Sequence, residues 1–268
     1  MKFGICLNAT EFLRDGSLAE KLGEIAAAGY DYVEVNAVSS ADLSEEEIAA
    51  VTSALKEAGL TAARACVLFP GDIKVVGEEA DKAVITAYLE KLMPKLSALG
   101  VGTVVFGSGG ARRVPEGYDH AVAFGQFCDC AKLVAEIGAK NGVRVALEHL
   151  NPGETNLLTT IGEAVDALER VNDPGCGLLF DYYHVDMATN DMDNVLRHPD
   201  KLYHSHLAMP VTRKFPLPGD EDAVRPYFET LKKAGYDDTV SLEAGMHDDR
   251  SYSDNLRDAM KVLKAFSS

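Results

Sequence analysis

The feature that most constrains this chain is a repeated piece of punctuation. Five times a helical pattern stops at a glycine, and a short apolar run begins two or three residues later. The glycines are Gly29, Gly59, Gly100, Gly142 and Gly235. Each stands where a helix C-terminus needs a residue at positive φ, which glycine adopts without a Cβ penalty. The runs that follow are too short for helices and too apolar for surface strands. They read as strands of a parallel sheet, buried on both faces.

Taken in order, the strands are expected over residues 2–8, 30–36, 60–68, 102–107, 143–148, 177–181, 202–207 and 239–243. Helical patterns separate them. Ser17-Leu-Ala-Glu20 and Ser44-Glu-Glu-Glu47 each have the Ser and Glu spacing of a capping box. Further helices are predicted over about 78–99, with Pro94 as a kink, then 119–140, 160–171, a short one near 191–197, 221–234, and a last one carrying Leu256, Met260 and Leu263. No long linker or composition break interrupts the alternation. The expectation is an α/β protein made of a single (β/α)8 TIM barrel spanning residues 1–268. A doubly wound open sheet is the alternative. The turn after the first strand lacks the G-x-G-x-x-G of dinucleotide binding, and Gly107-Ser-Gly-Gly110 lacks the Lys-Ser/Thr ending of a phosphate loop.

Composition narrows the partners. The apolar fraction is 47% and the charged fraction 25%, ordinary for a globular protein with a sizeable core. A net charge of −16 argues against a nucleic-acid partner, whose phosphates call for Lys and Arg. No apolar run reaches the ~18–20 residues of a membrane span, and Met1–Leu7 already reads as a strand, not a leader. A cytoplasmic protein with no membrane partner is expected. The five cysteines are odd in number and scattered, so no disulfide framework is expected. Cys128-Asp-Cys130 reads as helix packing, and Arg112-Arg113 as a solvated loop more than a phosphate site.

Four strands in succession end in chemistry: Glu148, Asp181, His206 and Glu243. In an α/β barrel functional groups gather at the carboxyl ends of the strands. Any one of these residues has a dull explanation, as a cap, a salt bridge or a satisfied core histidine. Together they would repel and resist desolvation unless a cation joined them. Three carboxylates and an imidazole suit one divalent ion, Mn2+ before Mg2+, Co2+ or Zn2+. His204 and His206 lie two apart and share a face of their strand. His206 is nearer the carboxyl end and is the expected ligand. His204 is left as a neighbouring contact or a core histidine.

These segments resemble the xylose isomerase-like superfamily of sugar isomerases and epimerases, most like its ketose 3-epimerase and hydroxypyruvate isomerase branch. Glu148-His-Leu-Asn-Pro-Gly-Glu154 is similar to the family's E-x-x-N-x-x-E. Leu178-Leu-Phe-Asp-Tyr-Tyr-His184 is similar to its L-L-x-D-x-x-H, and Tyr203-His-Ser-His206 to its H-x-H. Val240-Ser-Leu-Glu243 resembles its last strand-end glutamate, and Pro216-Leu-Pro-Gly219 its P-G segment. The resemblance implies that Glu148, Asp181, His206 and Glu243 hold the metal and that Glu148 and Glu243 also form the acid/base pair. It implies that Glu154, His184 and Arg213 contact substrate oxygens. Arg213 departs from the pattern: it lies seven residues after His206, where the family's epimerases place an arginine about six after, and Met209-Pro-Val replaces the usual polar run.

The function this implies is a metal-dependent ketose epimerase or isomerase, moving a proton beside a carbonyl through a metal-stabilised enediolate. A sugar lyase or dehydratase shares the first step and is the rival enzyme class. A non-catalytic sugar-binding barrel is the rival outside enzymology. A multinuclear zinc endonuclease is disfavoured by the charge and by a total of seven histidines. The expected partner is a small sugar or sugar derivative. Apolar helices outside a barrel also suit a homo-oligomer of unspecified size.

Overall fold

The computed structural model describes residues 1–188 and 191–266. Eight parallel strands close into a barrel in sequence order. They are β1 (Lys2–Leu7), β2 (Tyr32–Asn36), β3 (Arg64–Cys66), β4 (Thr103–Phe106), β5 (Arg144–Glu148), β6 (Cys176–Asp181), β7 (Leu202–Leu207) and β8 (Thr239–Leu242). The last pairs with the first, Lys2 opposite Thr239 through Ile5 opposite Leu242, so the barrel has no free edge. The open doubly wound sheet is thereby excluded. No described helix is long and apolar enough to cross a membrane.

The predicted helices lie close to their expected places: Leu18–Ala28, Glu45–Ala58, Lys82–Leu99, His120–Ala139, Ile161–Val171, Glu221–Lys233 and Tyr252–Lys264. Residues Met192–Arg197 form a short 3-10 turn. All five punctuating glycines take positive φ, from 65° at Gly235 to 95° at Gly29. Cys128 and Cys130 are buried on their helix, as packing residues are. The apolar face of Glu45–Ala58 buries Ile48, Val51 and Leu55 in the hydrophobic core, and burial of each such side chain stabilises the fold by about 1.5–3 kcal/mol.

Local grammar fails in several places, and periodicity also misses the short helices Ala37–Ser40 and Tyr182–Ala188. The Ser44 capping box forms, with Glu47 N–H on the Ser44 hydroxyl at 3.1 Å and Ser44 N–H on the Glu47 carboxylate at 2.9 Å. The Ser17 box does not: the Ser17 hydroxyl and N–H both turn back to the Asp15 carboxylate. Asp15 is available because it ends a short helix that periodicity did not predict, Ala9–Asp15, capped by Asn8. The third strand is only Arg64–Cys66, shorter than the apolar run. Outside it the chain still serves single carbonyls to its neighbours, Thr61 to Val33 at 2.9 Å and Ala63 to Gly102 at 3.1 Å. Pro94 sits inside Lys82–Leu99, and the helix runs on past it to Gly100.

Candidate functional site

The structure brings the four strand-end residues to one point. Glu148 closes β5, Asp181 closes β6, His206 is next to last in β7, and Glu243 follows β8. His206 Nδ1 lies 3.4 Å from Glu148 Oε1, 3.7 Å from Asp181 Oδ2 and 3.8 Å from Glu243 Oε2. Neither His206 Nδ1 nor Glu148 Oε1 has a hydrogen-bond partner among the described residues, although both are buried. One oxygen each from Glu148, Asp181 and Glu243, with a ring nitrogen of His184, lie within 4.8 Å of one another.

Behind this cluster stands a residue that sequence reading missed. Glu34, in the middle of β2, is fully buried. Its Oε2 meets His204 Nε2 at 2.7 Å, and both its oxygens meet His206 Nε2 at 3.1 Å. An ionised carboxylate only accepts, so both imidazoles present Nε2–H to it. His206 is thereby oriented with Nδ1 toward the three carboxylates. Burial would raise the Glu34 carboxyl, but the two histidines hold it well below the usual range. The signal was present as an acid flanked by Val33 and Val35 in a doubly buried strand, where an unpaired carboxylate is costly. Its partners lie 170 and 172 residues away, beyond the reach of any local pattern.

His204 is therefore a buried core partner. Its Nδ1 meets the Thr239 hydroxyl at 2.9 Å, and its Nε2 also lies 3.2 Å from the Ser241 hydroxyl.

The electrostatics of the cluster call for positive charge. Burial, then the fields of Glu148 and Asp181, push the Glu243 carboxyl up to about 8. Burial and Glu148 raise Asp181 as well. Burial opposes a charged ring at His206, yet Glu34, Glu243 and Glu148 draw a proton to it and raise it well above the imidazole range. A divalent ion facing Nδ1 would replace that proton and relieve the carboxylates at once. The unpartnered Glu148 Oε1 and His206 Nδ1 and the three-oxygen, one-nitrogen donor set fit such an ion.

The remaining predicted residues form the rim. Arg213 bridges two acids, Nη1 to Glu154 Oε1 at 2.7 Å and Nη2 to Glu243 Oε2 at 3.1 Å, and its guanidinium stands 4.9 Å from the Tyr183 ring centre. The longer spacing from His206 is absorbed by a turn. Met209 N–H meets Lys214 O at 2.9 Å, Val211 and Arg213 take positive φ, and Gly245 N–H ties Arg213 O at 2.8 Å. Asn151 donates to Glu154 Oε1 at 3.0 Å. His184 accepts the Asn151 backbone N–H on Nδ1 at 3.2 Å, which puts the ring proton on Nε2, a buried atom with no hydrogen-bond partner among the described residues. The His184 backbone N–H holds Asp181 Oδ1 at 2.9 Å, so Oδ2 is the oxygen that faces inward.

Arg112 corrects an expectation. It is fully buried, not part of a solvated loop. Its guanidinium donates to the carbonyls of Glu148 at 2.6 Å, Leu158 at 3.3 Å and Phe106 at 3.4 Å. Buried backbone carbonyls need such partners, and three converge here because β4 and β5 end together. Only Arg113 is exposed, on Glu154 O at 2.8 Å. Gly107 completes the seat: a Cβ there would come within 2.0 Å of Glu148 Oε2. Across the mouth, Asn8, Asn36, Ser39, Val67, Phe69 and Ser108 border a cleft of about 470 Å³.

This geometry can be set beside known proteins. Residues 22–266 match the family described as xylose isomerase-like TIM barrel. A ketose 3-epimerase from Arthrobacter globiformis is 30% identical over 221 residues, covering 81% of this chain and 74% of that protein. A crystal structure of a D-psicose 3-epimerase in the presence of D-fructose superposes with a TM-score of 0.82 at 17% identity, covering 100% of both chains. A 3-keto-D-glucoside 4-epimerase from E. coli superposes with a TM-score of 0.76 at 20% identity, covering 99% of both. At those identities the two structures speak to the fold alone.

Proposed function

The chain belongs to the xylose isomerase-like TIM-barrel family, and from that premise we propose that it is a divalent-metal-dependent epimerase of ketoses or related keto-sugars. The observation that carries this reading is the convergence of three carboxyl oxygens on His206 Nδ1, at 3.4, 3.7 and 3.8 Å. The 30% identical ketose 3-epimerase supports the substrate class.

Glu148, Asp181, His206 through Nδ1, and Glu243 would hold one ion, Mn2+ by the hardness of the donor set, with Mg2+, Co2+ and Zn2+ as alternatives. Bound there, the ion supplies a Lewis acid that polarises a carbonyl and acidifies the neighbouring C–H. The protein's own part is to hold and move the proton. Glu148 is seated by Gly107 and by Arg112 on its carbonyl. Glu243 is oriented by Arg213. The two carboxylates enter from β5 and from the end of β8, so a sugar carbon between them meets one on each side. One takes the proton beside the carbonyl, and the other returns a proton to the opposite face, which inverts that carbon. His184 Nε2–H, Arg213 and Glu154 serve the substrate oxygens. Glu34 positions His206 by fixing its Nε2–H, as carboxylate partners of metal-binding histidines do.

The test is turnover in D2O on a panel of ketoses, 3-keto-glycosides and hydroxypyruvate, with metal-stripped and Mn2+-loaded protein. Deuterium should enter at the carbon beside the carbonyl with the carbon skeleton and oxygens intact. It should require metal and vanish in Glu243→Gln. Loss of water or an aglycone would make the protein a lyase. Tight binding of sugar and ion with no exchange would make it a binding barrel.

A further inference from the structure

The barrel wall beside Glu243 carries two thiols that this mechanism leaves idle. Cys6 is next to last in β1 and Cys66 is last in β3. They flank Glu34 and Asn36 of β2, Cys6 in register with Glu34 and Cys66 with Asn36. Both sulfurs and one Glu243 oxygen lie within 4.8 Å of one another. Cys6 Sγ also forms such a trio with Glu34 and His206. Cys66 is buried, while Cys6 is half-buried.

The ordinary roles of paired cysteines do not suit this place. β1 and β3 are separated by β2, so at ~4.8 Å per strand their backbones stand about 9 Å apart. A disulfide requires Cα atoms within about 7 Å. A reactive thiolate needs cationic neighbours, and here the nearest charged groups include the carboxylates of Glu34 and Glu243. What remains is a pair of sulfur donors with a carboxylate beside them.

We propose that Cys6, Cys66 and Glu243 form a second cation site, which takes a thiophilic divalent ion such as Zn2+ or Cd2+, and that filling it inhibits the enzyme by drawing Glu243 away from the quartet. Two sulfurs and one oxygen make a soft donor set, whereas Mn2+ and Mg2+ prefer oxygen and nitrogen. At a metal–sulfur distance of about 2.3 Å, tetrahedral sulfurs stand about 3.8 Å apart, which the observed grouping accommodates. Each S–H proton passes to solvent as its sulfur–metal bond forms, and nothing is oxidised or reduced. Because both sites need Glu243, occupancy of one weakens the other, and the weakening is reciprocal. The binding half of the proposal stands on the thiols. The inhibition half rests on the epimerase reading.

The test titrates Mn2+-loaded full-length protein with Cd2+ and no sugar, reading ultraviolet sulfur-to-cadmium charge transfer and, by electron paramagnetic resonance, free Mn2+. One equivalent of Cd2+ should saturate the charge-transfer band and release Mn2+. The band should fall in Cys6→Ser and in Cys66→Ser, vanish in the double variant, and persist in Cys128→Ser. The matching alanine variants repeat the measurement if the serine variants do not fold. A band that survives the double variant, or no band at all, overturns the site. Absence of the band with Mn2+-dependent exchange intact sinks the thiol site and leaves the epimerase. The band without exchange on any sugar does the reverse.

Discussion

The two halves of the barrel mouth are built from opposite chemistry. From β5 to β8 the strand ends carry Glu148, Asp181, His206 and Glu243, with Arg213 in the turn that follows β7. From β1 to β4 the corresponding positions offer Asn8, Asn36, Cys66 and Ser108, all neutral, and Asn8, Asn36 and Ser108 border an open cleft. Charge at the strand ends is thus confined to one side. The other side offers hydrogen bonds from uncharged strand-end groups, with Glu11 on Asn8 and Lys74 on the Gly71 and Gly110 carbonyls at its rim. The buried acid of β2, Glu34, lies beneath and is already spent on two histidines of β7. A site divided in this way can grip a carbonyl on one side and leave an uncharged, hydroxylated remainder room on the other.

The sharpest way to break the comparison is to change one carboxylate on the charged side. Glu243→Gln keeps size and shape but removes the proposed base and one proposed metal donor. The kcat for proton exchange should fall by about 10²–10⁴-fold. A fall no larger than that of Asn36→Ala, on the neutral side, would mean that the halves do not differ in chemistry.

Glu34→Gln reaches across the divide. The amide can donate as well as accept, so it no longer fixes the Nε2–H of His206. Mn2+ affinity measured by calorimetry should weaken by about 10–100-fold, and the 15N shifts of His206 in metal-free protein should report a changed tautomer. An unchanged affinity would reduce Glu34 to core packing.

Arg112 and Arg113 contrast within one loop. Arg112→Met leaves the carbonyls of Glu148 and Leu158 without this donor and should cost about 1–3 kcal/mol in denaturant unfolding. Arg113→Met should stay within about 0.5 kcal/mol. Equal losses would contradict the clamp assigned to Arg112.

An effect seen only on acidification concerns His149, next to Glu148. Burial and then His184 push its imidazole down to about 3, from an ordinary 6.5. As pH falls below 6.5 the unfolded chain takes up this proton before the native state does. The stability contributed by the neutral ring is therefore complete above 6.5 and lost between 6.5 and about 3. Stability of His149→Leu should fall less steeply across that window, by the slope of about one proton. Parallel curves would show that the ring is protonated in the native state.

The sequence by itself determined the barrel and the charged half of its mouth. Positive-φ glycines, capping residues and short apolar runs are local signals, and they repeat often enough to imply eight strands alternating with helices. The pairing of β8 with β1 settles closure over an open sheet. A strand end is a local position too, so Glu148, Asp181, His206 and Glu243 were legible one at a time. The tertiary structure alone decided what depends on ring closure. Glu34 meets His204 and His206 because β2 and β7 face each other across the interior. Arg112 is buried because its loop folds under the end of β5. Cys6 reaches Cys66 because side chains two strands apart converge inside a curved sheet. Side-chain alternation tells which residues point inward. Which of them then meet is set by the curvature and register of the closed sheet, and no segment of the chain carries that information alone.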